Sequence, residues 1–131
     1  MEETKLQELK DLHRKMFKSF NYETDMDKYG EEEHWDIIPE EYKAGDKFSG
    51  DCENYALACR KVLRDAGWDN TRLIFCTLDG MGHCVLEVEG YVFDNRFETL
   101  STKNYLEKKG YKWIAISGTE PGDKWHKLED F

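Results

Sequence analysis

The chain has 131 residues and a formal net charge of −9, from 28 acidic against 19 basic side chains. This length is typical of one domain, so we expect residues 1–131 to share one hydrophobic core. The acidic excess would repel both a phosphate backbone and an anionic membrane surface, and no stretch is apolar enough to span a bilayer. These features argue against nucleic acid and against a membrane as partners.

The N-terminal segment predicts an amphipathic helix. Within residues 5–20, apolar side chains recur at spacings of three and four, which places them on one helical face. The same segment is charged and lacks the apolar centre of a signal peptide. We therefore expect a cytoplasmic protein.

Residues 21–50 predict a long ordered loop. They lack a hydrophobic period and contain several glycines and a proline. Long loops in compact domains often carry function. Within this loop Trp35 belongs to a small apolar group just before Pro39. Packing against the core is the simpler interpretation of Trp35, and contact with a substrate is the alternative.

The second half of the chain predicts a helix followed by strands. The helix starts at Cys52 and stops at Gly67. A shorter helix, capped by Ser101 or Thr102, ends at Gly110. Apolar and β-branched residues mark four strands, at residues 72–78, 83–89, 91–95 and 111–117. We expect an α+β fold in which the helix from Cys52 packs on an antiparallel sheet of about four strands, with a further N-terminal helix and a loosely held tail at residues 118–131.

The four cysteines show no CxxC pair, so neither a zinc knuckle nor a dithiol redox motif is indicated. Cys59 and Cys76 fall on apolar positions and are expected to be small buried hydrophobes. Cys84 follows His83 on an alternating strand and should point to the opposite face of the sheet. Cys52 differs because it opens a helix, where unpaired backbone N–H groups are expected to lower the thiol pKa.

A nucleophilic thiol needs a base and a group that orients the base, and the sequence offers both. His83 follows a predicted loop of residues 79–82, in which Gly82 leaves space for a substrate. Asp94 lies on the next strand, and any even-numbered turn at residues 89–90 places both side chains on one face. Gly50, two residues before Cys52, would let the backbone turn sharply and a substrate approach the sulfur.

These features resemble the bacterial transglutaminase-like cysteine peptidases, members of the papain and transglutaminase superfamily. The residues that carry the resemblance are Trp35, Pro39-Glu40, Gly50 to Glu53, Tyr55 to Ala58, Arg72-Leu73, His83, Val85-Leu86 and Phe93 to Asn95. The resemblance implies a papain/transglutaminase-like core and a thiol-dependent amide hydrolase with a protein or peptide substrate. It also implies a catalytic triad of Cys52, His83 and Asp94 acting through an acyl-enzyme.

The resemblance raises the question of calcium, because characterised relatives include periplasmic endopeptidases that hold this ion with acidic residues flanking the nucleophile. Asp51 and Glu53 match those positions, whereas Asn54 stands where an acidic residue is frequent. The alternative is that Asp51 caps the helix and Glu53 favours its dipole. No other cofactor is expected. For the oxyanion, the N–H of Cys52 is one candidate donor, with Asn21 or Tyr22 supplying a second.

Three alternatives stay open at this stage. An amine in place of water would give transglutaminase-like acyl transfer. A protein that kept the fold and lost turnover would be a binding module or adaptor. An amidase acting on cell-wall peptides is also compatible, although the negative charge and the lack of a wall-binding domain argue against it. The resemblance, taken with the compact size and the expected lack of a leader, suggests a phage or mobile-element protein. The sequence does not predict the oligomeric state.

Overall fold

The computed structural model describes residues 3–22, 41–118 and 124–127, and Trp35 lies outside these ranges. Three helices are present in them: α1 (Glu3–Ser19), α2 (Cys52–Asp65) and α3 (Lys103–Lys108). The strands are β1 (Phe20–Tyr22), β2 (Phe48–Gly50), β3 (Thr71–Leu78), β4 (Met81–Val88), β5 (Tyr91–Phe93), β6 (Ser101–Thr102), β7 (Lys112–Ile116) and β8 (His126–Lys127). None of these helices is long and apolar enough to cross a membrane.

The main sheet has the strand order β6-β5-β4-β3-β7-β8, and every neighbouring pair is antiparallel. It is larger than the four strands predicted, because two-residue strands β6 and β8 extend its edges. Strand β8 lies within the predicted tail and pairs with β7, so His126–Lys127 is held to the sheet. Such short strands have no sequence period, which explains why they were missed.

Two tight turns set the register of the central strands. Asp79-Gly80 joins β3 to β4, and Glu89-Gly90 joins β4 to β5, with positive φ at all four residues. Two-residue turns of this kind match the twist of antiparallel strands. The prediction of a loop over residues 79–82 is therefore wrong, because β4 already begins at Met81. His83 lies inside the strand, opposite Cys76 of β3.

The sheet is covered on both faces. Helices α1 and α2 pack on one face through an apolar cluster that includes Leu9, Leu63 and Leu86. The other face carries a second buried cluster beneath α3. Cys59 and Cys76 are fully buried in these two clusters, which confirms the prediction that they are small core residues. None of the four cysteines forms a disulfide. The predicted α+β class, with the Cys52 helix on an antiparallel sheet, is confirmed.

A small parallel sheet leads into α2. Strand β1 pairs with β2 in a register that sets Asn21 beside Ser49 and Tyr22 beside Gly50. The segment predicted as one long loop, residues 21–50, therefore begins and ends in paired strands. This pairing brings the end of β1 next to the backbone that enters α2.

Candidate active site

The N-terminus of α2 is closed by a reciprocal capping box. The Asp51 carboxylate accepts hydrogen bonds from the backbone N–H groups of Glu53 (3.0 Å) and Asn54 (3.3 Å). In return the Asn54 side-chain oxygen accepts from the Asp51 N–H at 3.0 Å. These bonds satisfy N–H groups that a helix leaves without intrahelical partners. Asp51 therefore caps α2, as one of the two interpretations of this residue predicted.

Gly50 is required by this cap. Its φ is +152°, and a Cβ at this position would lie 2.3 Å from the Asn54 side-chain oxygen. Side chains larger than hydrogen are therefore excluded while Asn54 keeps its place. The positive φ fits the expectation of a special backbone position at the entry to α2, and buried Gly50 serves the cap that presents Cys52; that Gly50 lets a substrate approach the sulfur stays a prediction.

Cys52 lies against the backbone of β4. Its Sγ accepts a hydrogen bond from the N–H of Cys84 at 3.4 Å. If the β4–β5 pairing continued past Phe93, Asn95 would lie opposite Cys84. Strand β5 ends at Phe93, however, and the chain then turns, with the Phe97 N–H donating to the Asp94 carbonyl. The sulfur thus takes the place of a strand partner at the point where the ladder stops.

The surroundings of Cys52 do not lower its pKa. Burial raises the pKa of the Cys52 thiol to about 11, and the negative charges of Asp51, Glu53 and Asp94 act in the same direction. The hydrogen bond from the Cys84 N–H opposes them and is outweighed. The expectation that the helix N-terminus lowers the pKa of this thiol is therefore wrong, because desolvation and nearby carboxylates both disfavour the thiolate.

His83 and Asp94 form a buried pair on the face of the sheet opposite α2. Their atoms Nε2 and Oδ1 are 2.8 Å apart, and both side chains are almost fully buried. The two-residue turn at 89–90 places Asp94 in register with Val85, so it lies diagonally next to His83 on the same face. This is the relation that the parity of the hairpin predicts.

Two further donors hold the Asp94 carboxylate. The Tyr111 hydroxyl donates to Oδ2 at 2.6 Å, and the Arg96 N–H donates to Oδ1 at 2.9 Å. Burial would raise the pKa of Asp94, but the hydrogen bonds from His83, Tyr111 and Arg96 outweigh it and the pKa is lowered. Asp94 is accordingly an anion at neutral pH. Because a carboxylate only accepts, Nε2 of His83 carries the proton that they share.

Cys52 and His83 approach the same stretch of β4 from different sides. Within the described residues no hydrogen bond joins the Cys52 sulfur to the imidazole; the sulfur contacts the N–H of Cys84, the residue after His83. The Cys84 side chain packs in the core beneath α2, so it lies on the opposite face from His83, as alternation predicts. Burial raises the pKa of the Cys84 thiol well above its usual value, which makes it a poor rival nucleophile.

The remaining candidate residues lie around this centre. Asn21 and Tyr22 are exposed on β1, beside the backbone that enters α2. Gly82 is exposed on β4, and a Cβ there would lie 3.0 Å from the ring of Phe75. The Phe75 ring, 40% exposed, is opposite Cys84 on β3 and was not singled out from the sequence. No sequence pattern would have found it, because an aromatic residue within an apolar strand does not itself indicate an exposed side chain.

The oxygen atoms at the start of α2 are the candidate ligands for calcium. The Asp51 Oδ1 faces the helix N–H groups, and the Asn54 oxygen faces the Asp51 N–H. Calcium takes six to eight oxygen ligands. Across residues 3–22, 41–118 and 124–127, no group of three or more His, Cys, Asp or Glu side chains is arranged to hold a metal. In the described part of the chain, the Asp51 Oδ1 and Asn54 oxygens are therefore occupied by the helix cap and not directed at a shared ion site.

Comparisons with known proteins agree with this architecture. The profile of the family described as bacterial transglutaminase-like cysteine proteinase (BTLCP) matches residues 1–131. No curated protein gives a significant match. Among solved structures, EGTA-treated LapG of Legionella pneumophila has a TM-score of 0.65 at 19% identity, over 97% of this chain and 68% of LapG. Calcium-bound LapG has a TM-score of 0.60 at 19% identity, over 91% of this chain and 71% of LapG. The likeness to LapG shows a shared fold, and the match over its whole length shows that the chain belongs to the bacterial transglutaminase-like cysteine proteinase family.

Proposed function

We propose that the protein is a cysteine peptidase that hydrolyses amide bonds of a protein or peptide substrate. In this proposal Cys52 is the nucleophile, His83 transfers the proton and Asp94 orients the imidazole. The observation that carries it is the buried hydrogen bond between His83 and Asp94, 2.8 Å long, together with the contact between the Cys52 sulfur and Cys84, the residue after His83. Membership of a cysteine proteinase family supports the same assignment.

The hydrogen bond to Asp94 assigns different roles to the two imidazole nitrogens of His83. Nε2 donates to Asp94, so Nδ1 is the nitrogen that accepts the thiol proton from Cys52. The thiolate then attacks the substrate carbonyl, and the amine leaves with the proton held on Nδ1. Water, deprotonated by Nδ1, hydrolyses the thioester and restores the thiol. Asp94 stays ionised throughout and stabilises the imidazolium.

Activation of the thiol depends on His83. With a pKa of about 11, the Cys52 thiol is almost entirely protonated at neutral pH unless an adjacent base removes its proton. The sulfur must leave the Cys84 N–H and approach Nδ1 when substrate binds. Catalytic hydrogen bonds commonly tighten only in the substrate complex, so this rearrangement is a normal step.

We assign the first donor to the oxyanion of the tetrahedral intermediate to the first turn of α2. The N–H of Cys52 lies at the start of the helix, where backbone donors lack intrahelical acceptors. A second donor comes from β1, at Asn21 or Tyr22. The pairing of Tyr22 with Gly50 supports this assignment, because it places β1 beside the strand that enters α2. Both donors would stabilise the tetrahedral intermediate.

The test is cleavage of an unfolded protein such as casein, followed by mass spectrometry of the fragments. Wild type is compared with Cys52→Ala and with Cys84→Ala, a matched loss of a thiol from the core beside the site. The proposal expects the same fragments from wild type and Cys84→Ala, and none from Cys52→Ala. Cleavage by Cys52→Ala at the wild-type rate would overturn it. Repeating the assay with a primary amine separates hydrolysis from acyl transfer.

A further inference from the structure

Tyr111 is a buried tyrosine whose hydroxyl is directed at the Asp94 carboxylate. The residue lies directly before β7 and is only 4% exposed. Its backbone is fixed by a hydrogen bond from its N–H to the Leu106 carbonyl at the end of α3. Its ring packs edge-on against the imidazole of His83, with ring centroids 6.1 Å apart. The Tyr111 side chain therefore contacts both members of the His83–Asp94 pair.

The two oxygens of Asp94 have different partners. Oδ1 accepts from His83 Nε2 and the Arg96 N–H, whereas Oδ2 accepts from the Tyr111 hydroxyl at 2.6 Å. Donors on both oxygens fix the rotation of the carboxylate about its last side-chain bond. Loss of the Tyr111 hydroxyl would leave Oδ2 without its short hydrogen bond inside the protein, where an unpaired anionic oxygen is costly. The carboxylate would then turn toward other donors and away from the imidazole.

We propose that Tyr111 is a positioning residue, whose hydroxyl holds Asp94 in the orientation that receives the Nε2–H of His83. The inference rests on the proposed function for its consequence in catalysis. By fixing Asp94, Tyr111 keeps the His83 proton on Nε2 and leaves the Nδ1 lone pair available to Cys52. Sequence reasoning did not find it, because Tyr111 is 17 residues from Asp94 and α3 lies between them.

The experiment compares Tyr111→Phe with Tyr55→Phe. Tyr111→Phe keeps the ring beside His83 and removes only the hydroxyl. Tyr55→Phe is the matched control, because it also removes a buried hydroxyl but one that contacts His13. Nitrogen NMR of the His83 imidazole reports the tautomer, and carbon NMR of the Asp94 carboxyl reports its titration. Kinetics on a cleaved casein peptide report kcat and KM separately.

The expected result is a loss of the Nε2–H tautomer and a higher Asp94 pKa in Tyr111→Phe, because a donor to the ionised form is gone. We also expect kcat to fall roughly 10- to 100-fold with KM nearly unchanged, as for a misplaced catalytic group. Tyr55→Phe should show none of these changes. Unchanged tautomer and Asp94 titration in Tyr111→Phe would overturn the inference.

Two additions keep the test decisive. Replacing Tyr111 by 3-fluorotyrosine keeps the hydroxyl and makes it a stronger donor, so the Asp94 pKa should shift downward; no shift would contradict the inference even if Tyr111→Phe did not fold. The NMR readouts need no substrate. If the wild type cleaves nothing while Tyr111→Phe still alters the tautomer and the titration, the proposed function fails and the positioning role of Tyr111 stands.

Discussion

Replacing Gly50 with alanine should destabilise the protein through two separable effects. At φ +152° a non-glycine residue is strained, which costs about 1–3 kcal/mol. The new Cβ would also lie 2.3 Å from the Asn54 oxygen and 2.5 Å from the Asn54 Cβ, so the first turn of α2 must shift and the capping box is lost, at about 0.5–2 kcal/mol. Together these amount to roughly 2–5 kcal/mol. For a chain of this size, that corresponds to a melting temperature lower by roughly 5–20 °C.

Urea and thermal unfolding, followed by circular dichroism, would measure this loss against two controls. Gly67→Ala introduces strain at φ +99° with open space around the new Cβ within the described structure, so it should cost only the first effect. In an Asn54→Gly background the Asn54 side-chain atoms that clash, its Cβ included, are absent, so Gly50→Ala should cost about 0.5–2 kcal/mol less than in wild type. Equal costs for Gly50→Ala and Gly67→Ala, or strict additivity with Asn54→Gly, would refute the reasoning.

Three further predictions concern a buried histidine, the helix cap and calcium. Burial lowers the pKa of His13 below its usual 6.5, so its contribution to stability should be present above pH ~6.5 and lost as the pH falls through the folded-state pKa. Urea midpoints measured between pH 7 and 4.5 should show this loss in wild type and a flatter profile in His13→Gln; parallel profiles would count against it. Asp51→Asn should keep the helix cap, since asparagine caps as well as aspartate, whereas Asp51→Ala should cost about 0.5–2 kcal/mol. Added calcium should leave the melting temperatures of wild type and Asp51→Asn unchanged, and a calcium-dependent rise that Asp51→Asn abolishes would show that the carboxylate binds the ion.

Local patterns in the sequence predicted two parts of the site: which strand residues share a face of the sheet, and where the helix that carries Cys52 begins and ends. The two-residue period of a strand is sufficient to place His83 and Asp94 on one face, whatever the length of an even-numbered turn. The apolar face of the helix from Cys52, with Gly67 as its stop, predicted α2 to within one residue of its observed end at Asp65 and cap at Ala66. These features need no knowledge of how distant elements pack.

The parts that were missed depend on packing between distant segments. Tyr111 reaches Asp94 only because α3 and β7 fold back over the sheet. The thiol pKa of Cys52 depends on burial in the assembled core and on Asp94, which follows β5, so the helix N-terminus was a poor guide to it. Strand β8 is two residues long and exists only through its pairing with β7. No local signal encodes any of these three features.

The most direct test of the account is the pH dependence of Cys52 alkylation in wild type and His83→Ala. Sub-stoichiometric iodoacetamide is applied between pH 5 and 9, and the labelled cysteine is mapped by peptide mass. The account predicts that Cys52 is labelled ahead of the buried Cys59, Cys76 and Cys84, and that its reaction at neutral pH is lost in His83→Ala, where no imidazole remains to take the thiol proton. The same Cys52 rate in both proteins, or preference for another cysteine, would contradict the claim that His83 activates Cys52.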